Sequence, residues 1–560
     1  MEYVVFFALM IVFIIVMSIV GVINQHRAVK ELGDKLKRNY GGKPLKKFIE
    51  SKFEYIPKYH QKHKTQNAID DITWNDLSMD EVYIRMDYCQ SAAGEEYLYH
   101  MLRDPLQMDD FDELEESITY YDEHEDTRCK CQSILSLAAS RNKYSIYDYL
   151  DFLDNLGKRS NAANYLFDAL IVISIIGCFF YFSFFFILLL MLIVYNIITY
   201  FKQNGEVNPY MSSFSYVLRL LKCVDKLHKI KDEHLQKELG KITEDEAKLK
   251  PFRSGAGILA SAGNLGANGS ILDIFISYFC IVTHLDMIKF NQMLSEIRKN
   301  MTSVDNINTC IGRIDSEIAI GSYRKSLDSK YCIPEFTKAK EIHTQGLYHP
   351  GINNPVPCSF DLEGNALITG SNASGKSTFL KTVAINTILA QTIHTSLAER
   401  YEAPLYRVYS SMALRDDLVG GESYYIVEIK SLKRIIDAAK EDGNPVLCMI
   451  DEVLRGTNTI ERIAASSQIL KNLCSLNATS FAATHDIELT ELLKTGYKNY
   501  HFEGDVHDDN VEFGYELKDG PAVKRNAIKL LGILGYDDDI VKASQKMADD
   551  FSASGIWQIN

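Results

Sequence analysis

No zinc pattern can be built from this sequence. Its eleven cysteines are scattered, and the one close pair, Cys129-Lys130-Cys131, is joined by neither a second pair nor a cluster of histidines. Tetrahedral zinc sites need four such ligands at short spacing. The cysteines are therefore read as reduced thiols in a reducing compartment, mostly filling core space. Positive charge is also short: 60 Lys and Arg against 74 Asp and Glu leave a formal charge of −14. That excludes a surface built throughout to grip a polyanion and leaves room only for a local basic groove. Nor is the chain short enough for one core. Its 560 residues should divide into about three or four units.

Long uncharged runs are present. Tyr3 to Ile23 is long enough to span a bilayer as a helix. A cleaved signal peptide fits poorly, because Glu2 stands where a positive start is usual and no A-x-A-like site follows. Arg27, Lys30, Lys35, Lys37 and Arg38 come next, so the positive-inside rule places the following chain in the cytoplasm. A second run, Ala169 to Phe201, is bounded by Asp168 and Lys202. It reads as a hairpin with its tip between Gly177 and Ser183, because basic residues (Lys158, Arg159, Lys202) flank both sides. Residues 25–80 are polar and read as a solvated linker. From Asp80 to Leu153 the pattern is helical, with Gly94 marking a close approach or a break. Leu220, Leu221, Val224 and Leu227 form one helical face. Ile271 to Phe290 is interrupted by Asp273, His284 and Asp286 and reads as a buried helix with His284 in its core.

Asn365 to Thr378 reads NALITGSNASGKST. An apolar β-type run, Ala366-Leu367-Ile368, feeds a glycine-rich loop, and Leu380, Val383, Ala384, Ile388 and Gln391 then recur at helical spacing. This is the complete P-loop pattern in its strand–loop–helix setting. Glycines let the backbone curl until N–H groups face phosphate oxygens, and the helix presents its positive end. Lys376 is placed to reach the β/γ-phosphates and the Ser377 hydroxyl to ligate Mg²⁺. A second strand, Val446 to Ile450, ends in Asp451-Glu452. Asp451 is the expected Mg²⁺-side acid and Glu452 the candidate general base that polarises an attacking water. A third strand, Thr479 to Thr484, ends in His485, placed to sense a γ-phosphate or hold that water. Between them, Gly420-Gly421-Glu422-Ser423 offers a second phosphate-facing surface with no phosphate of its own. Either it is a plain turn, or Ser423 closes over the nucleotide of another copy.

In this order, GSNASGKST, DDLVGGES, VLCMIDEVLRGTNT and AATHD resemble the ATPase domain of the MutS mismatch-repair family. That family belongs to the ABC-type ATPases and works as a dimer with two composite ATP sites. Leu347-Tyr348-His349-Pro350 resembles the start of that domain. Phe513 to Gly535 resembles its C-terminal dimerising segment, and residues 87–125 resemble the beginning of the family's helical core and levers. The resemblance covers 345–560 closely and about 80–330 loosely.

The resemblance implies an α/β P-loop (ABC-type) ATPase domain preceded by a mostly α-helical core/lever region, to which the uncharged runs add transmembrane helices. It implies phosphate-binding roles for Gly370, Asn372, Ser374, Gly375, Lys376, Ser377 and Thr378, and Mg²⁺ at Ser377 and Asp451. Catalytic roles fall on Glu452, His485 and, in trans, Ser423, with ATP and Mg²⁺ as cofactors. Arg455-Gly456-Thr457-Asn458 resembles a loop of the dimer face. The implied layout is an anchor at 1–24, a polar linker at 25–80 and the two lever halves at 81–165 and 202–340. A transmembrane hairpin at 166–201 separates those halves, and the ATPase domain follows at 341–560.

Two departures narrow the expectation. The family's mismatch-binding domain carries a Phe-x-Glu wedge; here Phe111-Asp112-Glu113 lies inside an acidic lever-like stretch and reads as chance. Where the levers carry a DNA clamp in the family, Ala169 to Phe201 suits lipid. The expectation is a homodimeric, membrane-anchored short form with its ATPase domain in the cytoplasm, from a bacterial type of chain. DNA with mismatches or branches is the nominal substrate by family. The alternative is an ABC-type ATPase of a membrane process that does not bind DNA.

Overall fold

The computed structural model describes residues 30–43, 46, 49–136, 145–254, 256–261, 271–328, 330–371, 374–412, 424–507, 510–522, 527–533 and 535–555, with single positions 16, 20, 23, 27 and 557. The expected anchor at 1–24, single positions aside, lies outside the described residues, as do Asn372 and Ser423. The chain forms two compact units. One holds residues 1–63, 87–100 and 116–326; the other holds 64–86, 101–115 and 327–560.

The first unit is helical. Its principal helices are α1 (Ala92–Arg103), α2 (Ala162–Gly177), α3 (Phe182–Val207), α4 (Met211–Leu227), α5 (Ile271–Thr283) and α6 (Met301–Ser326). The predicted face of α4 is buried in full and shares a core with Ile307, Ile311, Ile314 and Ile318 of α6. Gly94 marks a close approach. A Cβ there would lie 2.3 Å from Asp315 Oδ2, and one on Gly312 would lie 2.7 Å from the Ala93 carbonyl oxygen. The buried Asp315 carboxylate accepts from the backbone N–H groups of Gln90 and Ser91 at 3.0 and 2.6 Å and from Ser91 Oγ at 2.6 Å. These N–H groups sit at the start of α1, where a helix has no internal acceptors to offer. Burial pushes Asp315 up to about 6 against the pull of those donors. Gly94→Ala should therefore separate α1 from α6 and cost about 2–3 kcal/mol. Chemical denaturation of the intact chain would read it; an unchanged midpoint would contradict the close crossing.

Three parts of this unit bear on the sequence reading. Residues 25–80 are not an extended linker: Pro57–His63 is helical, with Ile56, Tyr59 and His60 buried. The apolar residues spaced among the charges are enough to fold it. The uncharged run forms a helical hairpin, α2 and α3 joined through Cys178–Tyr181. Ile271–Phe290 is not one helix. It breaks at His284, whose φ is +53°, and α5 leaves Tyr278 and Phe279 exposed while His284 is buried, as expected, against Thr199 at 3.2 Å.

The second unit is built on a six-stranded sheet of β1 (Asn365–Gly370), β2 (Arg407–Ser411), β3 (Val446–Asp451), β4 (Ala478–Thr484), β5 (Tyr497–His507) and β6 (Asn510–Asp519). The order is β6-β5-β1-β4-β3-β2, parallel except for β6. β3 and β4 are buried at every residue, as strands covered on both faces must be. Val446, Cys448 and Ile450 share a core with Leu432 and Ile435 of α8 (Tyr424–Lys440) and Leu470 and Leu473 of α9 (Thr459–Cys474). The helix after β1, α7 (Lys376–Ile393), is buried well beyond its predicted stripe. It packs on β3 and also meets strand Glu341–Leu347 of a smaller four-stranded sheet.

Residues 64–86 belong to this unit, and here too the linker expectation fails. Helix Asp71–Asp76 covers β2, the edge strand. Thr73 Oγ1 accepts from the Ser410 N–H at 3.1 Å, and Asp76 accepts from Ser410 Oγ at 2.6 Å and the Met412 N–H at 3.0 Å. An edge strand carries unpaired backbone groups, and these side chains satisfy them.

Candidate functional site

Parallel register gathers the strand ends. Ala483 on β4 stands between Ile368 of β1 and Asp451 of β3, so the segments after Gly370, Asp451 and Thr484 leave the sheet at one edge. Ligands of α/β sheets bind at such an edge.

The loop after β1 is made by backbone that side chains resist. Gly370 and Gly375 have φ of +148° and +106°. A Cβ on Gly370 would stand 2.8 Å from the Phe502 carbonyl and 2.9 Å from Ser374 Oγ. Gly375 caps α7, and Lys376, 5% exposed, is the first helical residue. Its ammonium bends back to donate to the carbonyls of Gly370 and Ser371 at 2.8 and 2.9 Å. Burial lowers the Lys376 pKa, with Glu452 and Asp451 opposing. Ser377 and Thr378 lie exposed on the first turn.

Glu452 takes φ +61°, and its N–H donates to Ala483 O at 2.9 Å, extending the β3–β4 pairing by one step. Its two carboxylate oxygens are both engaged, one by His485 Nε2 and the other by Arg455 Nε. Burial pushes the Glu452 carboxyl up, but His485, Arg455 and Lys376 outweigh it and hold the group below the usual carboxylate range. His485 also reaches the loop, with Nδ1 3.2 Å from the Gly370 carbonyl. Lys376, Glu452 and His485 are thus tied through one loop. Asn372 and Ser423 lie outside the described residues.

Some supporting groups escaped the sequence reading. Glu428 on α8 accepts from the backbone N–H groups of Leu454 and Arg455, which holds the turn after β3 with Leu454 at φ +59°. Arg462 on α9 grips Asp486 through two bonds of 2.9 and 2.6 Å. Asn458 caps α9 by accepting from the Glu461 N–H at 3.0 Å. Two of these carried a sequence signal: Asp486, a charge at a strand end, and Asn458, in the Arg455–Asn458 loop and of a type that caps helices.

The donor set can be tested for an anionic ligand with a divalent cation. Asp451 Oδ1 and Ser374 Oγ are buried without a hydrogen-bond partner among the described residues. Buried polar atoms are ordinarily paired, so an unpaired carboxylate oxygen and hydroxyl beside a lysine and a left-handed glycine loop fit a cation and a phosphate group. A cavity of about 390 Å³ beside Gly375 is lined by Ile352, Val356, Phe379 and Tyr515 together with Asn353 and Thr378. Its apolar walls suit a flat ring attached to the phosphates.

The fold and this edge define a parallel α/β domain with a phosphate-type loop and an acidic strand end. Comparison with known proteins finds similarity over this domain. Residues 366–552 match the MutS domain V model. Across 47% of its length the chain is 30% identical to a DNA mismatch repair protein MutS of Natronomonas pharaonis, covering 31% of that protein. It is 34% identical over 35% of its length to DNA mismatch repair protein MutS 2 of Haloarcula marismortui, covering 22% of it. With MutS of Aquifex pyrophilus the identity is 29% over 48% of the chain and 32% of the relative. Over this domain the chain is similar to MutS proteins. It spans about a third or less of the length of these relatives.

Proposed function

We propose that this protein is a membrane-associated MutS-family ATPase that binds and hydrolyses ATP with Mg²⁺ in a composite site of a homodimer. The observation that supports it most is the convergence of Lys376, Asp451, Glu452 and His485 at one sheet edge, with a buried Asp451 oxygen that has no hydrogen-bond partner among the described residues. The loop Gly370–Gly375, with Asn372 and Ser374, and the first turn of α7, with Ser377 and Thr378, hold the phosphates; Lys376 neutralises them. Ser377 and Asp451 hold the cation, and the cavity beside Gly375 takes the base. ATP with Mg²⁺ supplies the anhydride bond that is broken. Glu452, kept ionised, accepts a proton from water once one of its two oxygens is released, and His485 fixes its orientation. Ser423 of the second copy closes the site.

The relatives' names carry a second reading, in which the dimer acts on mismatched DNA. A net charge of −14 makes any such contact local. The membrane reading rests on the hairpin at 166–201 and the run at 1–24, with the ATPase domain on the cytoplasmic side. One experiment separates these readings: sedimentation of the purified chain with ATP and Mg²⁺, with and without mismatched duplex, across salt. The expected result is ATP-dependent dimerisation. Duplex capture that weakens steeply with salt would add the DNA role, and a monomer under saturating ATP with hydrolysis blocked would overturn the composite site.

A further inference from the structure

We infer that the α2–α3 hairpin enters one leaflet of a lipid bilayer and ends inside it, without crossing to the other side. This rests on the membrane reading above and specifies how the contact is made.

The hairpin's surface calls for an apolar medium all round. Along α3 only Leu192, Asn196, Tyr200 and Val207 are buried, and along α2 only Asn164, Ile171, Ser174 and Gly177. Each set is one narrow ridge; that of α3 faces Val282 and Asp286, while α2 meets α3 where Gly177 lies against Phe185 and Phe167 against Tyr195. Between Ala169 and Phe201 the remaining surface is mostly apolar and exposed or half-buried, and at the tip Phe179 and Phe180 are 87% and 85% exposed, followed by Tyr181 and Phe182. A protein partner covers one stripe of a helix, whereas lipid covers its circumference. No charge lies between Asp168 and Lys202, and the flanking Lys158, Arg159 and Lys202 suit anionic headgroups.

The depth is set by polar contacts at the base. Asn196 Nδ2 donates to Val282 O at 2.7 Å, Thr199 meets His284 at 3.2 Å, and Tyr200 donates to Asp286 at 2.9 Å. These pairs rise together in number, so α3 and α5 run in the same direction here. The uncharged part of α3, Phe182 to Phe201, rises about 29 Å at 1.5 Å per residue, close to the roughly 30 Å hydrocarbon core, so the depth is limited by the polar level at Asn196 and by the other arm. α2 is shorter, since Asp168 to Gly177 gives only about 14 Å, close to one leaflet. Because both helices start from one tip and the arm from Gly177 back to Asp168 is this short, the tip lies near the bilayer midplane and the chain returns to the side it came from.

The test uses the full chain reconstituted into sealed vesicles of zwitterionic and anionic lipid, oriented with the ATPase domain outside. Phe180→Cys, at an exposed position, is labelled with a membrane-impermeant maleimide added outside or trapped inside. Modified peptides are mapped by mass, because eleven native cysteines are also present. The expected result is that Cys at 180 stays unlabelled from both sides and reacts fully in detergent, while Lys158→Cys and Lys202→Cys both react from outside. Labelling of position 180 from the interior shows a crossing and overturns the inference while leaving membrane association intact. Labelling from outside, or protection in a lipid-free dimer, shows that protein or water meets the hairpin and overturns it also. A chain that fails to join vesicles at all sinks the membrane reading itself.

Discussion

Lys376→Ala should abolish nucleotide binding, with affinity falling at least about 100-fold, the loss of roughly 3 kcal/mol of charge-assisted contact. Lys376 is 5% exposed and has no carboxylate among its hydrogen-bond partners; it is held by the carbonyls of Gly370 and Ser371. A buried cation bonded to loop carbonyls, with Asp451 and Glu452 acting on it only through space, is costly to keep. That cost is explained if the ammonium is there to meet phosphate. Removing it should leave the fold in place, because the two carbonyls it satisfies lie at the ligand edge rather than in the core. Isothermal titration with a non-hydrolysable ATP analogue gives the affinity, and thermal unfolding provides the control. An unchanged affinity would remove the loop from the site.

Glu452→Gln should lower the hydrolysis rate by about 10²-fold or more while nucleotide binding persists, and should accumulate the ATP-bound dimer. The amide is nearly isosteric and can keep one of the two contacts, to His485 or Arg455, so the turn after β3 should survive. What it loses is the ability to take a proton. The left-handed φ of +61° at Glu452 is a strained position for a non-glycine residue, as is common where the surrounding structure fixes a functional side chain. Single-turnover hydrolysis measures the chemical step. A wild-type rate in the variant would assign the base elsewhere.

The comparison of sequence with structure turns on distance along the chain. β1, β3 and β4 were readable because each is a continuous apolar run, and such runs become strands buried on both faces. The glycine loop was readable because its glycines, its lysine and the helix start lie within a few residues. Helix Asp71–Asp76 was not. Its sequence looks solvated, yet Thr73 and Asp76 are taken up by Ser410 and Met412, more than three hundred residues away. Glu428 was missed for the same reason: a glutamate on an amphipathic helix looks like any surface charge until the turn after β3 is folded against it.

The sequence alone determined the strand ends, the phosphate loop, the acidic pair after β3 and the uncharged hairpin, because each is written in neighbouring residues whose conformational preferences are local. Tertiary structure decided what those pieces meet. It put His485 between Glu452 and the Gly370 carbonyl, set α1 against α6 at Gly94, and fixed the polar level at the hairpin's base. Such contacts depend on register and crossing between segments far apart in the chain, which no local preference encodes.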